Sequence, residues 1–281
     1  GAASRAVEQS VHTARHDGTV KFKDVSFVIN KAGKAVVMNR QGEMSLFDAN
    51  GVKRDTFKLV YGTILAIQDD ASVKKGQLLA EWDPYSNPII SEVAGTVKFN
   101  DIEEGVTMSE QVDAVTGFAT KVIIESKSAE LRPAVSIVDA SEKPIMLPGR
   151  EIPARNIIPV GAQLLVSEGQ EITAGELIAK IHRETSKTRD ITGGLPRVAE
   201  LFEARKPKEA AIISEVDGYV TFGKDVKGKQ RVIVTPETGE EAREYLIPKG
   251  KHVAVREGEF VKKGEPLMDG PTNPHDILAV K

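Results

Sequence analysis

The chain has 281 residues, no cysteine and a formal net charge of −3, which removes disulfides, thiolate nucleophiles and cysteine-ligated zinc together and leaves no global electrostatic drive towards nucleic acid. Its 40% hydrophobic and 28% charged residues are ordinary for a soluble globular protein, and no apolar run is long enough to cross a bilayer. With no basic-then-apolar leader at the start, the expectation is a soluble, unsecreted protein of two or three small domains.

The residues up to Asp17 read as a run-in to a strand. His12 and His16 would share a face on a helix, but two histidines without further ligands do not make a metal site, and His182, His252 and His275 are scattered. Gly18-Thr19-Val20-Lys21-Phe22 then opens a signature, Gly-x-Val-x-Phe, which returns at Gly95-Thr96-Val97-Lys98-Phe99 and at Gly218-Tyr219-Val220-Thr221-Phe222. Each copy precedes a longer repeat of twenty-two positions: Leu59 to Ala80, Ile158 to Ala179 and Ile247 to Met268. These align without a gap on a glycine (Gly62, Gly161, Gly250), a β-branched residue (Val73, Ile172, Val261) and a second glycine (Gly76, Gly175, Gly264).

The spacing predicts short strands in each long repeat, at Ile64-Leu65-Ala66-Ile67, Leu164-Leu165-Val166 and Val253-Ala254-Val255. They end at the turns Asp69-Asp70, Glu168-Gly169 and Glu257-Gly258. The second glycine fits a turn position needing positive φ. The unit so described is a twisted, sharply turning antiparallel barrel or sandwich, used three times. Such repeats usually hold a fold together and carry no chemistry.

Between the first two copies lies the turn Trp82-Asp83-Pro84-Tyr85. Its aromatic residues either close off the first barrel or seat a protein partner, and a lone Trp favours the former. Further on, Ser186 follows His182 closely in sequence, but proximity of that kind assigns no nucleophile. Neither a phosphate loop nor a Gly-x-Gly-x-x-Gly turn occurs. From Ser186 to Lys208 six cations (Lys187, Arg189, Arg197, Arg205, Lys206, Lys208) face three anions (Asp190, Glu200, Glu203).

That interval holds the one predicted helix. Leu195, Val198, Leu201 and Phe202 form an apolar stripe at i, i+3, i+4 spacing, with Arg197, Glu200, Glu203 and Arg205 on the other faces. Pro196 suits the first helical turn and Pro207 forbids continuation. Thr192, Gly193 and Gly194 in front make a pivot, because each glycine costs about 1 kcal/mol relative to alanine inside a helix. Two readings stay open: a rigid connector docked on a neighbouring barrel, which pattern alone favours, and a helix that extends when packed and frays when not.

The string from Asp190 to Arg205 resembles the second helix of the trigger loop in the largest subunit, β′, of bacterial RNA polymerase. The opening Gly1-Ala2-Ala3-Ser4-Arg5 resembles the stretch just after the first trigger helix. The long interval from Ala6 to Arg189 is similar to the trigger-loop insertion of some bacterial lineages, which consists of two sandwich-barrel hybrid domains. The segment from Pro207 to Val280, with Glu215-Val216-Asp217-Gly218 and Asp269-Gly270-Pro271, resembles the jaw that follows.

The resemblance implies a mainly β fold of three small sandwich-barrel hybrid-type modules with a short connecting helix. It divides the chain into a trigger-loop remnant (1–15), a first barrel (16–91), a second barrel (92–184), the second trigger helix (185–207) and a jaw module (208–281). It makes Thr192, Gly193 and Gly194 the hinge, Leu195, Val198, Leu201 and Phe202 the packing face, and Arg197 and Arg205 the polar contacts of the closed hairpin. Lys206 and Lys208 become possible contacts to downstream DNA. No catalytic residue, cofactor or metal site is implied for this stretch, the magnesium and zinc sites lying elsewhere in such a subunit. It would be catalytically inert alone, although part of a cytoplasmic, nucleoid-associated enzyme with other polymerase subunits, downstream DNA and transcription factors as partners. The residues leave two alternatives: a biotinyl- or lipoyl-type carrier barrel, suggested by Lys74-Lys75-Gly76 and Lys262-Lys263-Gly264 but lacking a carrier lysine's usual flanks, and a structural protein-docking module.

Overall fold

The computed structural model describes residues 10–128, 130–183 and 211–268. Within them the chain is mainly β, with 22 strands and no helix. The connecting helix expected from sequence, with every residue assigned to it from Thr192 to Arg205, lies outside the described residues, as do Ser186, Lys206 and Lys208. All paired strands are antiparallel.

The first unit contains β1 (Val11–Thr13), β2 (Gly18–Lys23), β3 (Phe27–Ile29), β4 (Ala35–Val37), β5 (Glu43–Phe47), β6 (Lys53–Lys58), β7 (Ile64–Leu65), β8 (Ser72–Val73) and β9 (Leu78–Glu81). They form two sheets, ordered β1-β9-β7-β4-β3 and β6-β5-β2-β8. Val20, Val37, Met44, Leu46 and Leu79, all fully buried, fill the space between them. The outer strand β6 turns Lys53, Arg54 and Lys58 to solvent and only Phe57 inward, a charged edge that discourages pairing with another chain.

The second unit repeats this plan with β10 (Ser86–Ile90), β11 (Gly95–Asn100), β12 (Met108–Val112), β13 (Ala119–Ile123), β14 (Ala134–Val138), β15 (Arg155–Ile157), β16 (Gln163–Leu164), β17 (Glu171–Ile172) and β18 (Leu177–His182). Its sheets run β10-β18-β16-β13-β12 and β15-β14-β11-β17. The third unit has one four-stranded sheet, β21-β20-β19-β22, from β19 (Gly218–Phe222), β20 (Lys229–Thr235), β21 (Arg243–Pro248) and β22 (Phe260–Val261). Each unit has its own apolar cluster. Because β10 pairs with β18, the crossing from first to second unit falls at the Trp82–Tyr85 turn, ahead of residue 91. Likewise β1, inside the interval 1–15, is paired to β9 and belongs to the first unit.

The short signature and the long repeat turn out to be partners. Gly18 pairs with Val73, Gly95 with Ile172 and Gly218 with Val261. The central valines, Val20, Val97 and Val220, are buried, and their carbonyls accept from Asp70, Gly169 and Gly258 at 2.9, 2.9 and 2.7 Å. Those three turn residues take φ of +64°, +77° and +82°.

The first glycine of the signature has a steric cause. A Cβ there would lie 2.1 Å from the Phe47 carbonyl oxygen at Gly18, 2.8 Å from that of Val138 at Gly95 and 2.4 Å from that of Thr235 at Gly218, so any side chain would force the neighbouring strand away. The turn glycines Gly76, Gly175 and Gly264 adopt φ of +88°, +85° and +89°, the conformation their place in the repeat requires.

The strands of the long repeats are shorter than their apolar runs. Ile64-Leu65 and Gln163-Leu164 are strands of two residues, and the backbone pairing of Val253-Ala254-Val255 is a bridge from Val253 to Met268 and a hydrogen bond from Ala254 to Leu267. Burial of these residues comes from side-chain packing in a sharply bent chain, and the bend leaves few residues in ladder geometry.

Candidate inter-module junction

The most organised group of charges lies where the three units meet. Glu259 follows the positive-φ turn residue Gly258 and is 5% exposed. Its carboxylate faces the first unit, where the Arg40 guanidinium grips both oxygens, Nη2 to Oε2 at 3.0 Å, and also donates to the Ala254 carbonyl. Within its own turn Glu259 accepts from the Arg256 backbone N–H at 2.8 Å, with the Arg256 guanidinium 3.6 Å away. Burial by itself pushes the Glu259 carboxyl up, but Arg256, Arg40 and their hydrogen bonds outweigh it and hold the group below the usual glutamate range.

Arg256 also lies 3.4 Å over the ring of Tyr61 in the first unit. The Tyr61 hydroxyl accepts from the Ile90 backbone N–H at 3.0 Å, in the first strand of the second unit. One tyrosine therefore touches all three units, and burial pushes its phenol pKa up. Gln41 completes this side by donating to the Phe260 carbonyl at 3.1 Å and to the Glu265 carboxylate at 2.9 Å.

The second and third units are joined by two arginines. Arg150 pairs with Glu92 of its own unit, donates to the Gly258 carbonyl at 2.6 Å and lies 5.6 Å from the Tyr219 ring centroid. Arg132 pairs with Asp225 and donates to the Gly223 carbonyl at 2.9 Å, while Lys249 approaches Asp225 at 3.4 Å. Close approach at glycines marks the seam between the first and second units and reinforces that between the second and third. A Cβ on Gly62 would meet Pro88 at 2.6 Å, one on Gly175 would meet Asn30 at 2.8 Å, and one on Gly258 would meet Leu147 at 2.2 Å.

A small polar cavity sits inside the junction, bordered by Ser91, Glu92, Arg155, Arg256 and Glu257. Arg155 Nε and Glu257 Oε2 are buried there without a hydrogen-bond partner, and burial pushes the Glu257 carboxyl up against the pull of Arg155 and Arg132.

Of the residues singled out from sequence, the junction takes in repeat glycines and turn residues, Gly62, Gly175, Glu257 and Gly258 among them, but not its central side chains Arg40, Tyr61, Arg132, Arg150 and Glu259. Those side chains gave no sequence signal because the repeat disguises them: the positions equivalent to Glu259 are Ala71 and Gln170, the latter exposed. His12 lies on a strand, with its ring 4.7 Å from that of Trp82 and 4.8 Å from that of Phe57, and among the described residues no group of three potential metal ligands exists. Trp82 is packed in that stack, whereas Tyr85 is 61% exposed.

Ion pairs thus fasten module to module in a multi-module polypeptide. No family model matches the chain. It is 70% identical over 280 residues, 100% of its length, to the protein named DNA-directed RNA polymerase subunit beta′ of Bdellovibrio bacteriovorus, and it spans 20% of that relative. The chain is a fragment of a β′ subunit.

Proposed function

We propose that the chain is a regulatory and mechanical part of a bacterial DNA-directed RNA polymerase, coupling trigger-loop folding to the handling of downstream DNA. The identity to a β′ subunit along the whole chain carries this reading. The first two units serve as the barrels of a trigger-loop insertion and the third as the jaw module, with the second trigger helix in the interval 185–207. Thr192, Gly193 and Gly194 act as hinge, Leu195, Val198, Leu201 and Phe202 as packing face, and Arg197 and Arg205 as polar contacts. Lys206 and Lys208 meet downstream phosphates.

The Arg40–Glu259 pair supports a mechanical role, since it ties an insertion barrel directly to the jaw unit. A body fastened in this way biases the loop through differential contact with its folded and unfolded states. Other polymerase subunits and transcription factors are its partners, and the cytoplasm, beside the nucleoid, is its place. No helix among the described residues is long and apolar enough to cross a membrane. Nucleotide-binding residues and catalytic metals belong to the rest of the subunit, so this fragment alone is inactive.

Gly194→Ala in the assembled polymerase tests the reading. Removing about 1 kcal/mol of helix penalty at the pivot changes pause lifetimes by roughly fivefold. Pause lifetimes and elongation rates unchanged across nucleotide concentrations would remove the hinge.

A further inference from the structure

The chain enters the two barrels and leaves them at the same turn. The Trp82 backbone N–H donates to the Ser10 carbonyl at 2.9 Å, and the Arg183 N–H donates to the Tyr85 carbonyl at 2.8 Å. Ser10 immediately precedes β1, which pairs with β9, and Arg183 immediately follows β18, which pairs with β10. The four residues from Trp82 to Tyr85 therefore bridge the incoming and the outgoing polypeptide.

Asp83 builds the turn. Its Oδ1 accepts from the Tyr85 N–H at 2.8 Å and its Oδ2 from the Ser86 hydroxyl at 2.6 Å, and Ser86 is buried opposite His182 in the ladder. Each flank has its own anchor. On the incoming side the His12 ring lies between those of Phe57 and Trp82; on the outgoing side Arg183 Nε donates to Asn87 at 2.9 Å.

We infer that Asp83 is a positioning residue for nucleotide addition: by shaping the Trp82–Tyr85 turn it holds Ser10 and Arg183 in fixed register, so that the two arms leading to the barrels rise from one rigid base. The inference rests on the reading above, that these arms belong to a trigger loop. Two limbs can form a hairpin only side by side, and a long excursion between them makes that encounter entropically expensive unless its ends are already joined. A clasp at the base removes that cost and makes the pair of barrels move with the limbs.

The test compares wild-type polymerase containing the full-length β′ subunit with Asp83→Ala, which deletes both acceptors. Amide exchange at Trp82 and Arg183 is expected to accelerate while the core amides of Val20 and Val97 remain protected. The maximal rate of nucleotide addition is expected to fall about fivefold, the factor for losing two hydrogen bonds that each sit at the low end of the usual net contribution, with the nucleotide KM little changed. Asp83→Asn, which keeps an oxygen for the Tyr85 N–H, should restore both readouts, and Ser86→Ala, losing one bond, should give intermediate values. Two results overturn the inference: unchanged exchange at Trp82 and Arg183, or accelerated exchange with an unchanged maximal rate. Gly194→Ala separates this failure from that of the underlying reading, because a hinge variant that alters pausing leaves the trigger-loop reading intact while the clasp falls.

Discussion

A glycine can be required by what passes beside it and not by its own torsion angles. Gly18, Gly95 and Gly218 have no positive φ, yet a Cβ on each would press on the carbonyl of the neighbouring strand, at 2.1, 2.8 and 2.4 Å. Gly18→Ala therefore forces β2 and β5 apart, and by analogy with overpacked cores should cost about 1–3 kcal/mol of stability, measurable by chemical denaturation. An alanine at Gly33, where nothing lies within 4 Å, meets no such wall and pays only for its φ of +77°. The turn glycines were legible in sequence because a left-handed turn is a local requirement. The signature glycines were legible only as a recurrence, since their cause is a strand distant in sequence.

Among the elements, β1 is the one whose attachment depends most on a titratable group. Its His12 packs between Phe57 and Trp82 and contacts the Lys58 carbonyl. Burial, the largest influence, lowers its pKa below the usual 6.5 despite that carbonyl and Asp55. The neutral ring is thus the form the folded strand favours. Its contribution is complete above about pH 6.5 and is lost as pH falls through the lowered value, because the detached strand then binds the proton more readily. Amide exchange of β1 residues should accelerate on acidification across that range, and His12→Phe should abolish the dependence. The short runs of the long repeats show the limit of reading elements from composition: Val253-Ala254-Val255 has the apolar content of a strand, but among the described residues the third unit has no second sheet for it to join.

At the scale of the whole molecule the third unit is fastened to the other two through charge, while the first and second meet through the apolar contact of Val36 and Met38 with Ile90. Glu259 is nearly inaccessible and answers to two arginines, so neutralising it leaves Arg40 and Arg256 without their counter-charge in a partly buried interface. Glu259→Gln should weaken the junction by about 3 kcal/mol while each unit keeps its own core. Acid should act in the same direction. The Glu259 pKa lies below its usual 4.5, so the junction is intact above that pH and loosens as pH falls through the depressed value, visible as an increased radius of gyration in solution scattering. Sequence could reveal three modules because three copies repeat one pattern. It could not reveal the fastening, which uses Tyr61 and Glu259 at positions where the copies differ and Arg40 outside the aligned stretches.

The shared docking rule between signature and long repeat also bears on how the polypeptide acquires its shape during synthesis. Three near-equivalent strands and three near-equivalent acceptors invite exchange of partners among the units. The order along the chain guards against it: each signature is followed by its own long repeat before the next signature appears. On the ribosome, the correct acceptor is always the first to arrive.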